Sequence, residues 1–153
     1  MRLFGDSTAM GLSYGPIKRE PSPMPPILQH IRHVLELFCA KLLGSHLPVH
    51  AQLNIVLVNR YLHGQDSMGP HADKEPALGA IPFIVSLSLG GAHMFKFIHK
   101  ITKETKKLLL EDGSIIIMVG WDIQKNWKHS LPKTKKSCKK RWNLSFRYHE
   151  QKQ

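Results

Sequence analysis

Beyond Gly44 the chain is a succession of short aliphatic and β-branched runs. Residues 52–61 (QLNIVLVNRY), 81–89 and 115–119 are each of strand length and are separated by turn-forming residues. Residues 141–148 form a last strand with strict alternation. Arg141, Asn143, Ser145 and Arg147 share one face, and Trp142, Leu144 and Phe146 share the other, which reads as core. Gly90–Gly91 and Asp112–Gly113 are two-residue turn signals and predict hairpins. Ahead of these runs lies one helical stripe, Ile27, Ile31, Val34/Leu35, Phe38 and Leu42, opened by Pro26 and closed by Gly44. One helix followed by seven or eight short strands predicts a mainly β (α+β) chain. A β-sandwich or small barrel follows, with the jelly roll among the options.

Residues 1–26 hold Gly5, Gly11, Gly15 and five prolines, the composition of an extended arm or lid. The chain thus divides into an arm over 1–26 and a body over 27–153 of one domain, which suits 153 residues at 42% hydrophobic content. No apolar run reaches the roughly 18 residues of a membrane helix, and the start lacks a secretory pattern. Cys39 and Cys138 form neither a CxxC nor a zinc spacing. A monomer in a reducing, intracellular setting is expected.

Charge is unevenly placed. From Met1 to Gly90 seven Lys/Arg face six Asp/Glu; from Gly91 to Gln153 fifteen face five, so +10 of the net +11 sits in the second part. Lys103, Lys106, Lys107 and the run from Lys133 to Arg141 dominate it. Such asymmetry suits a polyanion, although a solvated face has the same composition.

Three groups of residues carry chemistry. In an extended segment His71 and Asp73 point the same way and can converge on one ion, with His129 returning from another strand as a third ligand. Two histidines and a carboxylate with open positions suit non-haem Fe(II); spacing alone also allows histidines that only pack. His46/His50 and His93/His99 are rival pairs without a carboxylate at comparable spacing. Arg141, Asn143 and Arg147 are costly to bury unless paired. A small dicarboxylate would pair them, and an outer strand face in water is the other reading. Asn59 and Tyr61 offer an amide and a phenol from one strand face.

Taken in order, Asn59-Arg60-Tyr61, His71-Ala72-Asp73-Lys74-Glu75, Pro82–Gly90 (PFIVSLSLG), Trp127-Lys128-His129-Ser130-Leu131-Pro132 and Arg141–Arg147 (RWNLSFR) resemble the AlkB family of Fe(II)- and 2-oxoglutarate-dependent dioxygenases. The resemblance runs from about Phe4 to Arg147. It implies a double-stranded β-helix, a jelly-roll barrel with the helix packed outside. It implies Fe(II) on His71, Asp73 and His129. It implies 2-oxoglutarate held by Arg141 with Asn59, Tyr61, Asn143 and Arg147 around it. The implied reaction spends O2 and 2-oxoglutarate, giving succinate and CO2, to hydroxylate an N-methyl group that leaves as formaldehyde. Alkylated single-stranded DNA or RNA would be the partner, with Glu75 facing a cationic base of the 1-methyladenine or 3-methylcytosine type and Phe4 and Tyr14 stacking on it. The arm before Phe4 is short, so either the lid is reduced, which would suit flexible single strands or RNA better than a deformed duplex, or the chain is a domain of something larger; no apolar duplex-prying finger can be assigned. A related hydroxylase of protein substrates, a non-catalytic nucleic-acid-binding barrel and a zinc hydrolase are the competing readings.

Overall fold

The computed structural model describes residues 1–7, 9, 11–14, 17–48, 52–135 and 139–150, with backbone alone for 12–14 and 17–19. Twelve strands and two α-helices follow one another: β1 (Arg2–Gly5), β2 (Leu12–Tyr14), β3 (Ile17–Arg19), β4 (Ser22–Pro23), α1 (Pro26–Leu43), β5 (Ile55–Tyr61), β6 (Met68–His71), β7 (Phe83–Gly90), β8 (His93–His99), β9 (Thr105–Leu110), β10 (Ile115–Val119), α2 (Trp121–Asn126), β11 (Trp127–Leu131) and β12 (Arg141–Arg147). A six-stranded sheet runs β10-β7-β12-β5-β1-β4, and a four-stranded sheet runs β6-β11-β8-β9. From β5 to β12 the chain passes back and forth between the two sheets, only β8 and β9 staying together in one, and with one long helix packed outside this makes the jelly-roll type of double-sheet fold.

The two glycine turns do not close hairpins. β7 pairs β10 and β12, whereas β8 pairs β9 and β11, so Gly90–Gly91 is a corner where the chain changes sheets. Gly90 has φ +89, and a Cβ there would collide with the Lys140 carbonyl. Asp112–Gly113 is likewise a corner between β9 and β10. It is tied to the end of β7 by Gly113 N–H to the Ser88 carbonyl (2.8 Å) and Gly90 N–H to the Asp112 carboxylate (2.7 Å). Within the two main sheets, β8 and β9 do pair across a reversal, through residues 100–104, with Lys103 at φ 62 and no glycine. Glycine supplies the left-handed backbone that a corner needs as well as a hairpin, so the signal marks a reversal but not its partner.

Helix α1 lies on the six-stranded sheet through Leu28, Leu35 and Cys39, which meet Val56, Phe83, Val85, Leu144 and Phe146. The expected stripe is rotated: Ile31 packs in part, but Ile27, Val34, Phe38 and Leu42 are exposed. Two polar ties set the rotation. Arg32 pairs with Asp6 at 2.9 Å, and the Glu36 carboxylate accepts the Leu53 N–H at 2.8 Å. Both residues sit beside Leu28, Leu35 and Cys39 on the helix surface, so satisfying them turns that side inward. Trp142 also departs from its expected core position: it is 41% exposed, and the Arg60 guanidinium lies over its ring.

The first 26 residues are more than an arm. β1 is inserted between β5 and β4, pairing β5 from Arg2↔Val58 to Gly5↔Ile55. Among the described residues only β2 and β3 form a ribbon outside the two main sheets.

Candidate metal and diacid site

The alternation of β12 does what its sequence requires. Arg141, Asn143, Ser145 and Arg147 turn into the space between the sheets, opposite Tyr61, Asn59, Leu57 and Ile55 of β5. The resulting cavity is narrow and partly open, with about 50 Å³ of free volume. His71, Asp73 and His129 line one part of it, while Asn59, Tyr61, Arg141 and Asn143 line another.

The triad is assembled by strand pairing. His71 ends β6 and stands opposite His129 of β11. Asp73 follows two residues later, and one ligand atom from each of the three lies within 4.8 Å of the others. The His129 Nε2 is 3.7 Å from Asp73 Oδ2. Asp73 Oδ2 is buried and has no hydrogen-bond partner, which is costly unless a cation takes its lone pairs. Asp73 Oδ1, in contrast, accepts from Arg147 Nη2 at 3.1 Å, and the Asp73 N–H donates to the buried Gln124 side chain at 3.0 Å. Each side of the aspartate is thus fixed with one oxygen left over. Burial pulls the His129 imidazole down to about 4, against the pull of Asp73. It is therefore neutral near pH 7 and has a lone pair to give. Burial would raise Asp73, but Arg147 and three histidines, His129, His71 and His149, outweigh it and hold the carboxyl below its ordinary value. Two imidazole nitrogens and a carboxylate oxygen fit Fe(II) as a donor set.

Arg141 is 3% exposed. Its Nη2 donates to Ser88 Oγ at 2.9 Å, but its Nε and Nη1 find no partner. Burial lowers its pKa, with Tyr61 opposing. A buried guanidinium with idle Nε and Nη1 donors fits a carboxylate. Asn143 Nδ2 is bound to Ser86 Oγ at 2.7 Å, which fixes the amide at the cavity wall.

Other expected residues sit elsewhere. Glu75 does not line the cavity; both its oxygens lie 3.3 Å from Arg147 Nη1. Burial raises its pKa, Asp73 adds to this, and Arg147 opposes it. Phe4 belongs to the opposite face of the six-stranded sheet: its neighbour Leu3 pairs with Leu57, which faces the cavity, so Phe4 faces away. Tyr14 is in β2, and its side chain lies outside the described residues. Of the rival histidines, His93 is buried with its Nε2 2.8 Å from the Pro132 carbonyl, His99 packs against Trp127, and His50 lies outside the described residues. Cys138 and Lys136 also lie outside them.

Sequence reasoning missed two features. Gln124 braces the metal-ligand loop from α2, and no motif marks it. Lys100, Lys74 and Lys128 lie within electrostatic reach of one another, Lys74 and Lys128 being the chain neighbours of Asp73 and His129. Lys100 Nζ reaches the Gln124 and Lys125 carbonyls at 2.6 Å each, and desolvation with the two other ammonium groups lowers its pKa. The charge count, which put the excess after Gly90 and on other lysines, does not single them out.

A sequence profile described as 2OG-Fe(II) oxygenase superfamily matches residues 3–147. The chain is 34% identical over 155 residues to the DNA oxidative demethylase ALKBH2 of Homo sapiens, covering 94% of this chain and 54% of that protein. The same-named protein of Bos taurus is 32% identical over 152 residues, covering 94% and 50%. The alpha-ketoglutarate-dependent dioxygenase alkB homolog 3 of Bos taurus is 38% identical over 103 residues, covering 61% and 36%. The chain spans about half the length, or less, of these curated relatives. The profile takes in every strand that carries the triad and the arginines, and these relatives are AlkB homologues, so the chain belongs to the 2OG-Fe(II) oxygenase superfamily as an AlkB-family member.

Proposed function

We propose that this chain is an oxidative demethylase of N-alkylated bases, of the 1-methyladenine and 3-methylcytosine type, in single-stranded DNA or RNA. The observation that carries the reading is one cavity holding both a His71–Asp73–His129 triad with an idle aspartate oxygen and a buried Arg141 with two idle N–H groups. Fe(II) with 2-oxoglutarate and O2 supplies, when bound, the oxidation of a methyl C–H bond coupled to decarboxylation of the diacid to succinate.

The chain's own residues would do the rest. His71, Asp73 and His129 hold the metal, and Arg147 keeps Asp73 ionised and aimed. Arg141 grips the far carboxylate of 2-oxoglutarate, with Asn59, Tyr61 and Asn143 around it. Leu57, Ile116, Met118 and Leu131 give that cavity a dry wall, which strengthens the charge contacts. Glu75, bridged through Arg147 to Asp73, sets negative charge beside the triad where a cationic methylated base must come. The hydroxymethyl group left on the base nitrogen expels formaldehyde. Such a base has to leave any stack to reach the triad, which favours single strands. Lys74, Lys100 and Lys128 offer a cationic rim for phosphates.

Among the described residues no helix is long and apolar enough to cross a membrane. A monomer working inside the cell fits this reading. The test is 2-oxoglutarate-dependent formaldehyde release from 1-methyladenine and 3-methylcytosine oligonucleotides, single- and double-stranded, DNA and RNA. Release by the wild type and none by His71→Ala is expected. No release by iron-loaded wild type on any of them would sink the reading.

A further inference from the structure

The face of the six-stranded sheet that turns away from the cavity is covered by α1 over Val56, Leu144 and Phe146. Further along, the same face carries Arg2 and Phe4 of β1, Val58 and Arg60 of β5, and Trp142 of β12. They are brought side by side by the pairs Arg2↔Val58 and Trp142↔Arg60. These residues line an open groove of about 420 Å³ that shares no residue with the metal cavity.

Three properties of the groove point to one kind of ligand. It has two aromatic rings, Trp142 being 41% exposed on a strand whose other alternate residues on that side are buried. It has two exposed arginines, and among the described residues neither has a carboxylate within ion-pair distance. One of these, Arg60, already lies over the Trp142 ring, 5.6 Å from its centre, so cation and aromatic surface are presented together. Rings on a rigid sheet beside unpaired guanidinium groups form the pattern that takes an unstacked base and its phosphates. A neutral apolar segment would leave both arginines without an ion-pair partner. An aliphatic acidic chain would leave the rings unused.

We propose that this groove is a second contact for single-stranded nucleic acid, in which a base stacks on Trp142 and Phe4 while Arg2 and Arg60 hold the neighbouring phosphates. The choice of nucleic acid among aromatic anions rests on the function proposed above. The groove is on the reverse side of the sheet from the triad. A strand must therefore wrap around an edge to reach both, and only a long oligonucleotide gains from it. The second contact raises the effective concentration of the polymer at the triad without touching the reacting base.

The experiment is fluorescence anisotropy with unmodified single-stranded oligonucleotides of roughly 4 and roughly 16 nucleotides, the range of single-strand site sizes. Wild type is compared with Arg2→Gln/Arg60→Gln, Trp142→Ala and Trp142→Phe, with melting temperatures taken to confirm folding. Trp142→Ala is expected to weaken the long oligonucleotide by about five- to tenfold, and Trp142→Phe to restore most of it. The arginine pair is expected to lower the salt slope by about 0.7 per residue. The short oligonucleotide is expected to bind all four proteins alike. Equal affinity of folded variants for the long oligonucleotide overturns the inference, as does failure of the wild type to prefer the long one. Formaldehyde release is scored separately. Groove binding without release would remove the demethylase reading alone, and release with unaltered long-oligonucleotide binding would remove the groove alone.

Discussion

His71 and His129 face each other across the β6–β11 pair, with ring centroids 4.3 Å apart and planes at 62°. Neither ring lies on a helix, and neither depends on a mobile loop for its place; backbone pairing sets their separation. A site of this kind is organised before the metal arrives. Mn(II), or Fe(II) under anaerobic conditions, is therefore expected to raise the melting temperature of the wild type and to leave that of His71→Ala unchanged. Equal shifts in both proteins would show that the ion binds elsewhere.

Arg141 is built for its ligand at the expense of the empty fold, because two of its N–H groups are buried without partners. Replacing it by Met removes a desolvated charge and keeps the stem packed. The variant is expected to melt at or above the wild-type temperature without ligand, and to need at least about tenfold more 2-oxoglutarate for half-maximal turnover, since a charge-assisted pair is lost. A variant that melts lower yet keeps its cosubstrate requirement would assign Arg141 to structure alone.

How far the sequence foretells this molecule depends on the range of the interaction. The period-two faces of β12 are legible because alternation is local, and they place Arg141, Asn143 and Arg147 on the cavity side as expected. The triad is legible as a set of donor types, while its closure rests on the His71↔His129 pairing between strands far apart in the chain. Trp142 shows the limit: its alternation is right, but the helix that should cover it stops short, so it meets solvent. The stripe of α1 is misjudged for a related reason. Ile27, Val34 and Phe38 have the same spacing as the buried Leu28, Leu35 and Cys39, so spacing does not choose between the two faces; the ties of Arg32 to Asp6 and Glu36 to Leu53 do. The fork of Arg147 between Asp73 and Glu75 joins residues more than seventy apart, which no motif reports.

That fork gives a further prediction. Without Arg147, Asp73 and Glu75 are two neighbouring carboxylates with no cation between them, and the Asp73 carboxyl rises towards and past its ordinary value. Arg147→Gln is expected to weaken Mn(II) binding about 10- to 100-fold, the usual effect of losing a group that orients a ligand. The acid limb of binding should also move to higher pH. Calorimetric titration at several pH values measures both; a weaker affinity with an unmoved acid limb would mean that Arg147 does not act through the charge of Asp73.

The metal-free protein should lose stability in mild acid. His129 titrates at about 4 in the folded chain, below the ordinary 6.5, so between those values the unfolded chain takes up a proton that the folded chain refuses. Stability therefore rises with pH through this window and falls as pH drops from 6.5 towards 4, by up to about 3 kcal/mol when the window has been crossed. Asp73 works in the same direction at lower pH, because its depressed pKa supplies stability that disappears only as that carboxyl protonates. Melting temperatures in chelator across pH 7 to 4 are expected to decline, and His129→Asn is expected to flatten part of the decline. Parallel profiles for the two proteins would contradict the assignment.

The lysine rim separates a solvated surface from a working one. Lys100 is spoken for by the Gln124 and Lys125 carbonyls, but Lys74 and Lys128 are exposed beside the triad, and each repels Lys100. Like charges held together beside a cavity gain most from a phosphate that neutralises them, with release of condensed counterions. Lys74→Gln/Lys128→Gln is expected to raise KM for a methylated oligonucleotide while leaving kcat close to wild type, and to lower the slope of log affinity against log salt by about 0.7 per lysine. Lys41→Gln, an exposed change at the far end of α1, serves as the charge control and is expected to leave the slope unchanged. If the control lowers the slope as much as a rim lysine does, the +10 of the second part of the chain acts as a diffuse field, and the cluster at the triad has no special part in holding the strand.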